Sequence, residues 1–222
     1  NALNNSHYTN PDDLIITTID DVVYMGMKND LSFIISNMMN LYEHQSTFSP
    51  NLPLRGLFYL ASLYRTYVDS FKNKLYTETA VSLPYPQYIV FYNGTIDEPE
   101  RQELKLSSLY EKPIQNCTPA LECTAVVLNI NLGHNHELME QCNTLKEYAT
   151  FIDTIRLHIA NGESFETAIE SSVDECIHSD ILANVLRKNR AEVIDVILEE
   201  YDEERKIVET TITELESRLK EC

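Results

Sequence analysis

The sequence predicts an α/β fold, a mixed sheet flanked by helices and followed by a helical C-terminal region. Short β-branched or apolar runs of strand length recur through residues 14–132, and a helical pattern stands between two of them. After Gly133 the spacing of the apolar residues becomes helical and remains so. This order indicates an α/β core over residues 1–133 and a helical region over residues 134–222.

Three strands are predicted in the first part of the core. Residues 14–19 are short and β-branched, as is typical of a strand. Residues 31–36 and 38–45 are two further apolar runs, and a tight turn at Ser36 and Asn37 would join them as a hairpin. A hairpin of this kind brings the start of its first strand beside the end of its second.

A helix and two more strands are predicted in the rest of the core. Pro53 opens a helix that runs to about Phe71, because apolar residues follow it at spacings of three and four. Residues 88–92 are a continuous apolar run, which is typical of a buried strand. Residues 121–132 form another strand, and residues 95–120, which contain acids and prolines, are predicted as a loop-rich segment.

Three helices are predicted in the C-terminal region, over residues 137–160, 164–178 and 181–222, with Asn161 and Gly162 as the stop after the first. The last helix carries four apolar residues at four-three-four spacing, a short coiled-coil seam: Val208, Ile212, Leu215 and Leu219. A solitary helix of this length is marginal, so the stripe must be buried. We expect a homodimer through the C-terminal helices, with packing on the chain's own preceding helices as the alternative.

Polar side chains with metal-ligand chemistry stand at the ends of the predicted hairpin. Twelve residues separate Asp30 from Glu43, so the two acids would meet across adjacent strands. Gln45 shares the face of Glu43, and His44 points to the opposite face. Mg²⁺ takes oxygen ligands from one or two carboxylates, waters and phosphates, and the pattern therefore predicts a divalent-metal hydrolase site. For Glu43 a buried arginine partner is the alternative, and Arg55 would contact a phosphate or pair with a carboxylate.

Several sequence blocks occur in order along the chain. They are Tyr-Met-Gly-Met-Lys-Asn-Asp at residues 24–30, Leu-Tyr-Glu-His-Gln-Ser-Thr at 41–47 and Pro-Asn-Leu-Pro-Leu-Arg at 50–55, with further blocks at 83–84, 90–94, 128–131 and 200–204. Together they resemble the Rpn-type recombination-promoting nucleases and transposases of the PD-(D/E)XK superfamily, in which Glu-His-Gln is a habitual third motif. The resemblance covers nearly the whole chain.

The resemblance implies a restriction-endonuclease-like fold and a Mg²⁺-dependent DNA endonuclease associated with recombination of mobile DNA, with Mn²⁺ as a substitute. It implies that Asp30 and Glu43 bind the metal. Gln45, which stands where the superfamily usually has Lys, would orient the attacking water. The superfamily also carries an acid on a helix before the first strand. That helix is not evident here, and Asp20 and Asp21 are the nearest upstream acids, so we expect a start that is truncated or processed.

The formal net charge of −18 opposes a nucleic-acid partner, because DNA binding depends on basic side chains that displace counterions. Residues 134–222 hold 21 acidic and 9 basic residues, against 14 and 8 in residues 1–133. Most of the excess lies in the helical region, so we expect weak, metal-dependent contact with DNA. Acidity and Gln45 favour a rival function, a non-cleaving interaction protein that keeps the nuclease fold, whereas the pair Asp30 and Glu43 favours the enzyme.

Cysteine use and hydropathy predict a cytoplasmic protein without a membrane span. The five cysteines are scattered and form no C-x-x-C pair, which is typical of reduced thiols. No run of eighteen apolar residues and no signal peptide is present in the sequence. It also contains no glycine-rich phosphate loop, so nucleotide hydrolysis by a P-loop has little support.

Overall fold

The computed structural model describes residues 10–17, 31–69, 74–111 and 118–199, together with positions 3 and 201. The chain divides into two compact units, Asn1–Ile130 and Asn131–Cys222. In the described residues the first unit combines a sheet with a helix, and the second unit is helical.

The described part of the first unit contains six strands and one long helix. They are β1 (Ile15–Ile16), β2 (Leu31–Ile35), β3 (Met38–Gln45), α1 (Leu52–Asp69), β4 (Tyr85–Tyr92), β5 (Arg101–Lys105) and β6 (Thr124–Asn129). The strands form one mixed sheet in the order β1-β2-β3-β4-β6-β5. The predicted class, an α/β fold with a mixed sheet flanked by helices, is confirmed.

The predicted hairpin of β2 and β3 is present, and its turn lies at the predicted residues. The two strands pair antiparallel, with Leu31 opposite Tyr42 at the open end. Ser36 and Asn37 have φ angles of 45° and 66°, the left-handed conformation that lets a two-residue turn follow the twist of its strands. The turn therefore fixes which residue of β2 faces each residue of β3.

Helix α1 connects two parallel strands and covers one face of the sheet. Strands β3 and β4 are paired in parallel along their whole length, and β6 pairs in parallel with β4. Parallel neighbours need a crossover connection, which α1 supplies between β3 and β4. Tyr59 and Leu63 of α1 pack in one buried cluster with Met39 and Leu41 of β3.

Several strand boundaries differ from the prediction. Strand β4 begins three residues before the predicted run at residues 88–92, and β6 is shorter than residues 121–132. The prediction of loop for residues 95–120 is wrong in part, because β5 and a 3-10 turn at Leu106–Leu109 lie there. Strand β5 pairs its backbone with β6 at the end of the sheet and alternates between exposed and half-buried side chains. The backbone pairing of β5 with β6 thus outweighs the low strand propensity of the polar residues in β5.

The described part of the second unit contains four bounded helices and a further helical stretch. They are α2 (His136–Gln141), α3 (Asn143–Ala160), α4 (Phe165–His178) and α5 (Ala183–Lys188), followed by helical residues 190–199. The predicted stop is confirmed, since Gly162 has a φ of 94° and glycine adopts this conformation after a helix at no steric cost. The side chain of Ser164 caps α4 by accepting a hydrogen bond from the Thr167 N–H. None of the described helices is both long enough and apolar enough to cross a membrane.

Two helices that were predicted to be continuous are broken. The helix expected over residues 137–160 is divided at Cys142, whose φ and ψ are −133° and 85°. The helix expected over residues 181–222 is interrupted at Asn189. The helical spacing of apolar residues continues on both sides of each break, so this spacing does not reveal either break. The predicted coiled-coil seam, and with it the surface expected to form the homodimer, lies in residues 202–222, outside the described residues.

Candidate functional site

Glu43 continues an apolar row of β3 that faces α1. Side chains alternate along a strand, so Met39, Leu41 and Glu43 point to the same face. The first two are fully buried, and the Glu43 side chain is 2% exposed. A carboxylate at such a position destabilises the fold unless a partner compensates its charge.

Arg55 supplies that compensating charge from α1. Its Nη2 donates to Oε1 of Glu43, and its Nη1 donates to Oε1 of Gln45 at 3.3 Å. The helix begins at Leu52 after a turn in which the Leu52 N–H bonds to the Ser49 carbonyl, and this start places Arg55 above the end of β3. The Arg55 side chain is 37% exposed. The ion pair therefore joins a buried acid to a base that reaches solvent.

Gln45 links the two charged groups. Its Nε2 donates to Oε1 of Glu43 at 3.2 Å and to the His44 carbonyl at 2.8 Å, while its Oε1 accepts from Arg55. Glu43 and Gln45 thus share one face of β3, as their alternation predicts. The carboxamide is oriented by both charges, although it carries none itself.

Tyr88 of β4 completes the cluster from the neighbouring strand. Its hydroxyl donates to Oε2 of Glu43. Gly56 of α1 lies directly over the Tyr88 ring, and a Cβ at position 56 would overlap Cε1 and Cδ1 of that ring. Glycine in a helix costs about 1 kcal/mol relative to alanine, so the close approach of helix and ring explains its presence. We refer to Glu43, Gln45, Arg55 and Tyr88 as the Glu43 cluster.

The surroundings fix the protonation of both donors. Burial alone would lower the pKa of Arg55, but the charge of Glu43 and the hydroxyl of Tyr59 outweigh it, and the pKa is raised. Burial, followed by the negative charge of Glu43, raises the pKa of Tyr88 far above its ordinary value. Arg55 is therefore a cation and Tyr88 a neutral donor near neutral pH.

The structure brings three of the four predicted site residues together. Glu43, Gln45 and Arg55 form one hydrogen-bonded group, in which Arg55 is the buried acid's partner. Asp30, the other predicted metal ligand, lies outside the described residues, as do Asp20 and Asp21. Within the described residues, the arginine partner considered for Glu43 is therefore the arrangement observed.

The sequence analysis did not single out Tyr88 or Gly56. Tyr88 lies in an apolar run that was interpreted only as a buried strand. Two signals were nevertheless present. A buried tyrosine hydroxyl usually has a hydrogen-bond partner, and a glycine inside a helical pattern often marks a close approach.

The oxygens of the Glu43 cluster suit Mg²⁺ in their chemistry. Glu43 and Gln45 offer a carboxylate and a carboxamide oxygen, both of which are hard ligands. No group of three or more His, Cys, Asp or Glu side chains in the described part of the chain is arranged to hold a metal, and Oε1 of Glu43 already accepts from Arg55. The donors therefore fit a divalent cation on condition that Arg55 gives up Glu43.

The geometry of the cluster is the basis for its interpretation. Comparison of the chain with protein-family models, with curated proteins and with solved structures finds no match.

Proposed function

We propose that the chain is a divalent-metal-dependent DNA endonuclease with a restriction-endonuclease-like core. The observation that carries the proposal is an acid with 2% exposure, Glu43, in an otherwise apolar row, with Gln45 and Arg55 hydrogen-bonded around it. Apolar residues in place of the whole ion pair would often stabilise the core as well or better. A buried charge that the fold does not need is expected where a residue takes part in catalysis or ligand binding rather than in folding.

The hairpin supports Asp30 as the second acid. Leu31 pairs with Tyr42, so the residue that follows Asp30 in the sequence is opposite the residue that precedes Glu43. Two carboxylates would match what Mg²⁺ usually takes from a protein. The order of hairpin, helix and parallel strand is compatible with the fold that we propose.

Each residue has a role in hydrolysis of a phosphodiester by in-line attack of water. A bound Mg²⁺ would supply Lewis-acid stabilisation and acidify a water molecule. Asp30 and Glu43 would hold the cation, and Gln45 would orient the water, since a carboxamide both donates and accepts hydrogen bonds. The guanidinium of Arg55 would bind a phosphate oxygen, and Tyr88 would fix Oε2 of Glu43.

Nicking of supercoiled plasmid tests this proposal. The protein, Asp30→Asn and Glu43→Gln are incubated with plasmid and Mg²⁺ or Mn²⁺, because amides keep the size of the acids but not their charge. We expect both variants to fall to the level measured without a divalent cation. Glu103→Gln, which removes an exposed acid from β5 of the same sheet, should cut like the parent protein. Full cutting by both site variants would refute the assignment of the acids.

A second function is favoured by the ion pair itself. Arg55 neutralises Glu43 and joins α1 to β3, as a non-cleaving interaction protein that keeps a nuclease-like fold would require. The net charge of −18 also suits a protein partner better than DNA. Calorimetric titration with Mg²⁺ separates the two functions, because an interaction protein has no need of a divalent-cation site.

A further inference from the structure

We infer that Arg55 is an exchangeable counter-ion, which neutralises Glu43 while no divalent cation is bound and gives up that carboxylate when one binds. The inference rests on the proposed function, since it assumes that Glu43 is a metal ligand. It adds a means by which metal binding at the same site is regulated. The guanidinium and the divalent cation compete for one carboxylate, and Arg55 thereby sets how tightly the metal binds.

The two partners of the ion pair are not equally free to move. Glu43 lies on a strand with neighbours on both sides, is 2% exposed, and is held at Oε2 by Tyr88. Arg55 is 37% exposed and reaches the carboxylate with the end of a long, flexible side chain. Arg55 can therefore turn towards solvent by giving up its contacts with Glu43, Gln45 and Tyr59 while the helix backbone stays in place. Glu43 cannot follow it.

The charge of Glu43 determines when Arg55 can leave. A buried carboxylate without a cation is strongly unfavourable, so Arg55 stays in place when no other cation is present. A guanidinium and a divalent cation on the same oxygen would repel each other at close range. Exchange of Arg55 for the divalent cation keeps the carboxylate compensated and avoids repulsion between two cations. Binding of both cations at once does not.

Gln45 connects this exchange to the substrate. Its Oε1 accepts from Nη1 of Arg55 at 3.3 Å, so departure of Arg55 releases the carboxamide oxygen at the same time. The guanidinium that leaves Glu43 becomes available to a phosphate oxygen, for which its planar donor geometry is suited. Cation binding would thus prepare both Gln45 and Arg55 for a phosphodiester.

The test measures the binding of Mg²⁺ and Ca²⁺ alone, without DNA, by calorimetry. We compare the parent protein with Arg55→Gln and with Arg65→Gln, which removes the same charge from an exposed position on the same helix, about 15 Å further along its axis. Arg55→Gln should bind Mg²⁺ on the order of tenfold to a hundredfold more tightly, because the metal no longer displaces a charged hydrogen bond. Arg65→Gln should bind like the parent.

A second measurement does not depend on Arg55→Gln. The Nε–H signals of the arginine side chains are recorded by ¹⁵N NMR in the parent protein during a Ca²⁺ titration. The signal of Arg55 is assigned from its absence in Arg55→Lys. We expect this signal to move as Ca²⁺ saturates the site, and the signal of Arg65 to stay in place.

The outcomes distinguish the exchange from the proposed function. Equal or weaker binding of Mg²⁺ by Arg55→Gln, or an Arg55 signal that stays in place at saturating Ca²⁺, overturns the exchange but leaves the metal site standing. If Arg55→Gln does not fold, the NMR titration alone decides. Absence of binding of either cation to the parent and to both glutamine variants overturns the exchange and the metal-dependent function together.

Discussion

The Arg55–Glu43 ion pair of the α/β unit and the Arg190–Asp174 ion pair of the helical unit differ in burial. In the α/β unit, Glu43 is 2% exposed and both of its carboxylate oxygens accept hydrogen bonds from other side chains. In the helical unit, the pair of Arg190 and Asp174 joins side chains that are 41% and 57% exposed. Water and salt screen the second kind of pair but hardly affect the first.

This difference shows that burial, rather than the number of charges, identifies the candidate site. Residues 134–222 hold 21 of the 35 acidic residues, yet the buried carboxylate of Glu43 lies in the other unit. A highly acidic surface mainly affects solubility and long-range association. A buried acid in an apolar row is not required by the fold alone, and it therefore indicates a candidate functional site.

The largest predicted effect is a loss of stability when Arg55 is removed. Arg55→Gln leaves Glu43 charged and buried, and we expect it to lower the free energy of unfolding by about 3 kcal/mol. The matched change in the exposed pair, Arg190→Gln, should have no measurable effect. Urea unfolding of both variants and the parent protein measures the difference.

The double variant Arg55→Gln with Glu43→Gln sharpens this test. Replacing both members of a buried pair is less harmful than removing one of them, because no uncompensated charge is left behind. The double variant should therefore be more stable than Arg55→Gln alone. If the two were equally stable, burial of Glu43 would not be the cause of the loss.

The hairpin and the crossover helix could be predicted because their signals are local. Ser36 and Asn37 interrupt two apolar runs, and both adopt the left-handed conformation that such a turn needs. Pro53 marks the start of α1 to within one residue. The common face of Glu43 and Gln45 follows from the alternation of side chains along a strand.

The partners of Glu43 could not be derived in the same way, because they depend on contacts between distant parts of the chain. Tyr88 lies 45 positions after Glu43 and reaches it only because β4 pairs in parallel with β3. Strand β5 was missed for a related reason, since its pairing with β6, rather than its sequence, makes it a strand. Local patterns carry no information on such pairings.

A smaller effect is predicted for the contact between α1 and β4. Gly56→Ala should lower the free energy of unfolding by about 1–3 kcal/mol, because the new methyl group overlaps the Tyr88 ring. Helix propensity alone predicts the opposite sign. Ser62→Ala, a similar change on the same helix, is the control and should be close to neutral. Thermal unfolding that shows a gain for Gly56→Ala would mean that the ring is not held against the helix.

The smallest predicted effect concerns a histidine of the helical unit that contacts two carboxylates. His158 of α3 lies between two carboxylates, with Nδ1 2.7 Å from Oε1 of Glu163 and Nε2 3.1 Å from Oε2 of Glu175. Hydrogen bonds to Glu163 and then to Glu175 raise the pKa of His158 above its ordinary value of 6.5. Both ring nitrogens can donate only when the ring is protonated.

The raised pKa of His158 fixes the sign of the pH dependence. Its contribution to stability is fully present below the ordinary pKa and is lost as the pH rises through the raised pKa of the folded state. The parent protein should therefore lose stability relative to His158→Gln as the pH rises above the ordinary pKa of about 6.5, by a small amount because these side chains are only partly buried. The contact with His158 also lowers the pKa of Glu163. The stability that this lowered pKa adds is lost only at more acidic pH. Thermal unfolding of the two proteins as a function of pH measures the difference, with His178→Gln as the control. Parallel curves would show that the contacts of His158 with its two carboxylates do not affect folding.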